Sequence, residues 1–208
     1  MTMRINRKLS FAVAAGALAL LTACGSDGDS MAGHEGMNSS SAPAATTASA
    51  SPSAAFNDAD VMFAQMMIPH HQQAVEMADL AATRASDPEI KELAAKIKAA
   101  QDPEIQAMKT WLTEWGKAAS EGDTGHGMGH EMPGVMSEEE MKKLEAAKAK
   151  EFDKLFAQQM IAHHNGAIEM ARTEQTDGSN LEAKELAKTI ETTQQAEVEQ
   201  LQKILDRL

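Results

Sequence analysis

Two His-His doublets are the feature of this chain whose residue types and spacing best suit chemistry. His70 and His71 form the first doublet, and His163 and His164 form the second. The surrounding sequences, FAQMMIPHHQQAVEMA and FAQQMIAHHNGAIEMA, are closely alike. Because neutral imidazole is the commonest metal ligand in proteins, two doublets in matching surroundings indicate a metal site.

Methionines accompany both doublets at helical spacing. Within each segment, one methionine lies three residues before the first histidine and another lies seven residues after it, on the same predicted helix face. The predicted ligands are therefore Met67, His70, His71 and Met77 in the first segment and Met160, His163, His164 and Met170 in the second. Thioether sulfur selects soft ions, which favours Cu(I), or another soft ion such as silver, over zinc. The alternative is structural, with core histidines bonded to carbonyl oxygens and methionines that only fill space.

Glu76 and Glu169 accompany the doublets at equivalent positions. Each lies about 120–140° around its helix from the neighbouring histidines and therefore cannot share their metal face. These glutamates could reach a neighbouring helix, hold an imidazole from behind the metal, or lie in solvent. We expect the last two together, with Glu76 and Glu169 supporting the imidazoles that bind the metal. A di-iron oxidase is disfavoured, because such bundles use inward-facing Glu-x-x-His motifs, which the predicted helices lack.

A second His- and Met-rich tract lies between the two doublets. Its candidate ligands alternate with glycine and are His126, Met128, His130 and Met132. Residues 31–37 carry a looser version of the same pattern. Flexible tracts of this composition are candidates for weak capture of soft metals. The alternative is a solvated glycine loop in which histidine and methionine are incidental.

The chain contains an internal duplication. Shifting residues 60–115 by 93 positions places them on residues 153–208 without a gap, and 23 of the 56 positions are identical. Each copy has apolar residues at the helical period on both sides of a turn, which predicts a helical hairpin. Two hairpins, each with one apolar face, predict an all-α four-helix bundle built from tandem copies.

Helix starts are indicated by capping residues. Asn57 or Asp58 is a candidate N-cap of the first helix. Capping boxes are expected at Ser86 with Glu89, at Ser179 with Glu182, and at Ser137 with Glu140, the last opening the third long helix. Gly116 and the pair Asp177-Gly178 are expected to end helices. Pro69 lies inside the first helix, where it predicts a kink just before the first doublet.

The amino terminus resembles an export signal. Three basic residues, a short apolar run and small residues lead to Cys24, the single cysteine of the chain. This order predicts a lipoprotein signal peptide at residues 1–23, with Cys24 as the lipidated residue of a protein anchored in the cell envelope and facing outside the cytoplasm. The alternative is an ordinary signal peptide with an incidental cysteine.

Composition divides the remaining 185 residues. Residues 24–55 are rich in Ser, Ala, Gly, Thr and Pro and predict a disordered tether. The ordered domain is expected at 56–208, with repeat one at 56–116, the His/Met/Gly-rich loop at 117–136 and repeat two at 137–208. Cleavage removes three positive charges and changes the formal charge from −12 to −15, which disfavours nucleic acid as a partner.

The stretches MMIPHHQQAVEMA and QMIAHHNGAIEMA resemble the signature of the domain of unknown function 305 family. The resemblance covers residues 56–208 and implies an exported bacterial protein with a ferritin-like four-helix fold. In several members the family is associated with copper handling, although it has no established reaction. The signature positions implied here are His70, His71, Glu76 and Met77, together with His163, His164, Glu169 and Met170.

These observations favour a non-enzymatic, envelope-anchored lipoprotein that sequesters Cu(I) or hands it on through His and Met ligands. One alternative is a metal-dependent oxidase that uses the bundle core. Another is a structural or partner-binding helical module whose histidines are merely buried. Sequence alone leaves the identity of any partner protein open.

Overall fold

The computed structural model describes residues 55–119 and 132–208, which form five helices. They are α1 (Asp58–Arg84), α2 (Pro88–Glu114), α3 (Glu138–Ala146), α4 (Ala149–Asp177) and α5 (Leu181–Arg207). The predicted signal peptide, Cys24, almost all of the tether, and loop residues His126, Met128 and His130 lie outside the described residues. Among these five helices, none combines the length and the apolar character that a membrane span requires.

The four long helices form the two hairpins that the duplication predicts. Helix α1 packs on α2, α4 packs on α5, and the hairpins meet mainly through α1 and α4. The described part of the chain is therefore an all-helical bundle of tandem hairpins, as predicted, with the short α3 added beside α1 and α4.

Two apolar clusters fill the bundle. The first cluster contains Met77 from α1 and Met160 from α4, and the second contains Met67 from α1 and Met170 from α4. A residue that precedes the doublet on one helix thus lies with a residue that follows it on the other. Helices α1 and α4 are consequently antiparallel, and the doublets lie between the two clusters.

The predicted N-cap at Asn57 is confirmed. The Asn57 side chain accepts from the backbone amides of Ala59 and Asp60, and the Asp60 carboxylate accepts in return from the Asn57 amide. Satisfying amides that have no partner within the helix stabilises the first turn.

The capping boxes expected at Ser86 and Ser179 are wrong by one residue. The caps are Asp87, which accepts from the amides of Glu89 and Ile90, and Asn180 at the equivalent position of α5. A carboxylate from the other hairpin explains the difference. Asp153 accepts from the amides of Ser86 and Asp87, and Asp60 accepts from those of Ser179 and Asn180.

The third long helix does not begin at Ser137. Ser137 forms the expected capping box with Glu140, but it opens the short helix α3, which ends at Ala146. Backbone at Ala147 and Lys148 is extended, and α4 starts at Ala149 without a side-chain cap. The break lets Met141, Leu144 and Ala147 pack into the first cluster.

The two prolines lie within helices, whereas two of the glycines lie at helix ends. Helices α1 and α2 run unbroken through Pro69 and Pro103, so neither proline ends its helix. Gly116 follows α2 with a φ of 65°, and Gly178 caps α4, as the sequence predicts.

Candidate metal centre

Four imidazoles lie in the middle of the bundle. His70, His71 and His164 are 0% exposed and His163 is 1% exposed. The ring centroids of His70 and His163 lie 3.8 Å apart, with 48° between the ring planes. This contact follows from the antiparallel packing of α1 on α4, because the two residues hold equivalent positions. The structure therefore brings the doublets face to face, as the sequence suggests.

His71 and His164, the outer histidines of the two doublets, each lie against a glutamate from the second helix of the same hairpin. His71 Nε2 is 2.8 Å from Glu104 Oε2 on α2, within a hydrogen bond. His164 Nε2 is 2.7 Å from Glu197 Oε2 on α5, although the angle is not that of a hydrogen bond. Both carboxylates are at most 15% exposed. Both rings thus present Nε2 to a carboxylate, but only His71 does so with the geometry of a hydrogen bond.

His70 and His163, the inner histidines of the two doublets, differ in their hydrogen-bond partners. His70 Nε2 lies 3.1 Å from the backbone oxygen of Pro133, which only accepts, so this nitrogen carries the hydrogen and donates it. Neither ring nitrogen of His163 makes a hydrogen bond of good geometry within the described residues. The two equivalent imidazoles are thus chemically distinct.

All four Nδ1 atoms are buried and lack a hydrogen-bond partner within the described residues. Where Nε2 donates to an acceptor, Nδ1 carries the free lone pair of the neutral ring. Metal-binding histidines typically donate their second ring N–H to a carboxylate or a backbone carbonyl, which sets ring orientation and tautomer. His70 has this arrangement with Pro133, and the Glu104 carboxylate favours it for His71.

Electrostatics keep the inner pair neutral. Burial, together with the charges of His71 and His164, lowers the pKa of His70 to about 3 against an opposing contribution from the Pro133 carbonyl. Burial and the neighbouring imidazoles also hold the pKa of His163 well below its ordinary value. Both rings are therefore unprotonated at neutral pH, the state in which imidazole coordinates a metal.

The predicted ligands do not converge on a single point. Within residues 55–119 and 132–208, no three His, Cys, Asp or Glu side chains are placed to hold one ion. The predicted methionine ligands are also divided, with Met77 and Met160 in the first cluster and Met67 and Met170 in the second.

Glutamates predicted from the signature lie elsewhere. Glu76 and Glu169 are exposed, which agrees with the solvated part of the expectation, but no contact of either with an imidazole accompanies it within the described residues. Glu104 and Glu197 instead contact the imidazoles, and sequence reasoning missed both. Their signal was present, because they are identical residues at equivalent positions of the repeats.

Two buried side-chain amides were also missed, although they carry the same signal of identity between the repeats. Gln101 and Gln194 are equivalent in the duplication and are 2% and 3% exposed. Each lies one helical turn before the glutamate that contacts a histidine, so the polar layer continues along α2 and α5. Both side-chain polar atoms of Gln101 and the oxygen of Gln194 lack a partner in the described ranges.

Of the inter-repeat loop at 117–136, the structure describes residues 117–119 and 132–136. Met132 is half-buried and directly precedes Pro133, whose carbonyl oxygen accepts from His70. Residues 132–136, which the sequence placed in the loop, therefore contact the bundle.

Comparisons with known proteins agree with this architecture. A family model described as a domain of unknown function, DUF305, matches residues 60–205. A presumed secreted DUF305 protein from Streptomyces coelicolor is 33% identical, with a TM-score of 0.64, over 72% of this chain and 93% of its own. A DUF305 fragment from Deinococcus radiodurans is 27% identical, with a TM-score of 0.64, over 73% of this chain and 98% of its own.

A third similar structure is CopM in a Cu(II)-bound form. It is 36% identical, with a TM-score of 0.63, over 71% of this chain and 96% of its own. CopM has also been solved in Cu(I)-bound and silver-bound forms. No protein among the curated sequences matches the chain significantly.

Proposed function

This chain belongs to the DUF305 family, and on that premise we propose that it binds copper as Cu(I) at its buried histidines. The protein would sequester the ion or hand it on. The observation that carries this proposal is the set of four buried Nδ1 atoms without hydrogen-bond partners. Leaving a buried polar atom unpaired costs about 1–3 kcal/mol, so four in one layer favour a ligand that uses them.

The available donor atoms suit a soft ion that needs few ligands. His70 and His163 offer a pair of neutral imidazoles, while Met67, Met77 and Met160 are fully buried in the adjoining clusters. Structural zinc is almost always held by four ligands in a tetrahedron. Among the described side chains, no three His, Cys, Asp or Glu are placed to hold one ion. Thioethers and imidazoles together favour Cu(I) or Ag(I).

The copper-bound forms of CopM support the same choice of metal. CopM shares about a third of its residues with this chain over nearly its whole length, and its silver-bound form fits a soft-ligand site. The chain's own residues orient and neutralise the imidazoles, as binding of a soft cation requires.

Export and anchoring belong to the same proposal. The basic and apolar start of the chain and Cys24 support a lipoprotein held at the cell envelope. The similar protein of Streptomyces coelicolor is a presumed secreted protein, which supports export. Anchoring outside the cytoplasm would place a copper buffer where the ion enters the cell.

His126, Met128, His130 and Met132 are proposed as a weaker, second capture tract. Glycine on either side lets such a tract wrap an ion. Met132 adjoins Pro133 and hence the histidine layer, so the tract and the core would be neighbours along the path of the ion.

A structural role is the competing function, and one observation favours it. The contacts of His71 with Glu104 and of His164 with Glu197 would also fix the register of two hairpins without a metal. Buried polar contacts can specify a unique packing even where they add little stability. The two functions differ in what happens to metal affinity when the histidines are replaced.

The deciding experiment is a competition titration of the mature chain with Cu(I), Ag(I), Cu(II) and Zn(II). Wild type is compared with His70→Gln/His163→Gln and with the matched loop variant His126→Gln/His130→Gln. We expect the core variant to lose at least about tenfold in Cu(I) affinity, and the loop variant to lose only weak binding. Unchanged Cu(I) affinity in a folded core variant would make the histidines structural.

A further inference from the structure

Residues 132–137, hereafter the strap, contact α1 at His70 and lie on the backbone of α4 at the level of His163. The Pro133 carbonyl oxygen accepts a hydrogen bond from His70 Nε2. Gly134 has a φ of 77°, and a Cβ at this position would approach the backbone oxygens of Ala162 and His163. The strap thus contacts both helices that carry the doublets.

Gln73 on α1 clamps the far end of the strap. Its Nε2 donates to the Met136 carbonyl at 2.8 Å, and its Oε1 accepts from the Met136 amide at 2.7 Å. Both polar groups of one side chain are matched to both backbone groups of one residue. This pair of bonds holds the strap in a single register.

Gly166 on α4 provides the seat. A Cβ built on Gly166 would overlap the carbonyl oxygen of Pro133. Any larger residue at this position would push the strap outward and remove the acceptor from His70. The strap therefore depends on Gly166 for space and on Gln73 for attachment.

The clamp and the seat are the same position of the duplication. Gln73 and Gly166 are 93 residues apart and follow their doublets at the same distance, yet they differ where the residues next to them are alike. Glutamine at position 73 binds the strap by hydrogen bonds, and glycine at position 166 leaves space for it. The two repeats therefore hold one strap between them through residues that differ.

From this geometry we infer that the strap controls entry of the metal ion to the His70–His163 pair, with Gln73 and Gly166 as its positioning residues. The inference rests on the proposed function. While the strap is seated, Pro133 accepts from His70 Nε2. The strap then lies on α4 at Ala162, His163 and Gly166. It therefore leaves the Nδ1 atoms as the lone-pair donors to a metal ion and covers this side of the layer that contains them. Lifting the strap opens a path from solvent to the pair.

Gln73→Ala tests the inference, with the exposed neighbour Gln72→Ala as the matched control. The first readout needs no metal: the rate at which diethyl pyrocarbonate modifies His70 and His163, followed by peptide mapping. Loss of two hydrogen bonds should raise that rate roughly tenfold in Gln73→Ala and leave Gln72→Ala unchanged. The second readout is the rate of Ag(I) and Cu(I) uptake by stopped flow, which should rise by a similar factor.

Gly166→Ala gives an independent check, because it displaces the strap without touching Gln73. It should speed modification and metal uptake as Gln73→Ala does, with circular dichroism confirming that both variants are folded. Equal rates in wild type, Gln73→Ala and Gly166→Ala, while Cu(I) still binds the histidines, would overturn strap control and leave the proposed function standing. Faster modification in a protein whose wild type binds no Cu(I) would overturn the proposed function, and metal gating with it.

Discussion

His70 and His163 hold the same position in the two repeats, and their imidazole rings lie 3.8 Å apart between two apolar clusters. A proton on either ring would place a charge against the other ring and away from water. Burial, with no carboxylate among the described residues acting on either ring, holds the pair in its neutral form. That property is useful for binding a metal and costly at low pH.

Acid should therefore destabilise the metal-free protein through this pair. The pKa of His70 falls from 6.5 to about 3 on folding, and that of His163 falls in the same direction. The unfolded chain takes up protons first, so stability is present above about 6.5 and is lost as the pH falls toward about 3. We expect a loss of roughly 1.4 kcal/mol per pH unit for each such histidine, measured by urea unfolding between about pH 7 and about pH 5.

His70→Gln/His163→Gln is the control for this pH dependence. With no imidazole to titrate at these positions, its free energy of unfolding should fall less steeply with acid than that of wild type. Identical slopes would show that the buried pair does not govern acid stability.

Replacing Glu104 and Glu197 by glutamine should weaken Cu(I) binding while leaving the fold intact. Both carboxylates lie within 2.8 Å of a histidine Nε2, and losing such a contact behind a metal ligand typically reduces affinity by about tenfold to a hundredfold. Competition with a chromophoric Cu(I) chelator measures the change. The control is Glu76→Gln/Glu169→Gln, which alters the exposed signature acids and should have little effect. If the control lost as much affinity, the contacts of Glu104 and Glu197 would not be the relevant ones.

Glu174 should make the protein less stable as the pH rises. Burial, together with the nearby Asp60 carboxylate, raises the pKa of Glu174 from 4.5 to about 8. Neither Glu174 carboxyl oxygen has a hydrogen bond of good geometry within the described residues, so burial is the main reason that the protonated form is favoured. The stability that this form provides is present below about 4.5 and is lost as the pH rises toward and through about 8. Glu174→Gln is uncharged and does not titrate. Its stability relative to wild type should increase by at least about 1 kcal/mol between about pH 5 and about pH 9.

Urea unfolding across that pH range checks the Glu174 prediction. Glu185→Gln, a change at an exposed acid of α5, should run parallel to wild type. If Glu174→Gln also ran parallel, Glu174 would be ionised in the folded protein throughout.

Gly178→Ala should be destabilising, and part of its cost should depend on the Glu174 side chain. The backbone at Gly178, with a φ of −67° and a ψ of 156°, is open to alanine, but a Cβ there would overlap the Glu174 carboxylate and would also crowd the Glu174 backbone oxygen. We expect a cost of about 1–3 kcal/mol in wild type and a smaller cost in a Glu174→Ala background, where only the backbone oxygen remains in the way. A double-mutant cycle measures the coupling, and strictly additive effects would contradict the steric explanation.

The duplication explains how much of the fold could be predicted. Helical periodicity within each copy identifies the hairpins, and the pseudo-twofold relation between copies places His70 opposite His163. The break at Ala147 and Lys148 could not be predicted, because neither proline nor glycine marks it. The caps at Asp87 and Asn180 were missed because carboxylates from the opposite hairpin occupy the preceding amides, which is a tertiary effect.

At the candidate site, the histidines were predictable and their partners were not. Glu104 reaches His71 only through the register of the α1–α2 hairpin, which local sequence does not specify. The role of Gly166 could not be predicted for another reason. Its role is to leave space, since a Cβ at this position would overlap the Pro133 carbonyl oxygen. The composition of residues 132–136 predicts a loop, because composition indicates flexibility and not which backbone surface a segment can pack against.

The difference between Gln73 and Gly166 also constrains how such a protein can arise. An assembly of two identical hairpins would carry one residue type at this position on both sides, so it could have two clamps or two seats but not one of each. Joining the copies in one polypeptide removes that identity, and it also supplies the connecting segment that both residues hold. Fusion thus makes two equivalent imidazoles unequal, because Nε2 of His70 donates to Pro133 whereas His163 has no such bond within the described residues. In the copper-binding function proposed above, this inequality would give an arriving ion a preferred first point of contact at His163.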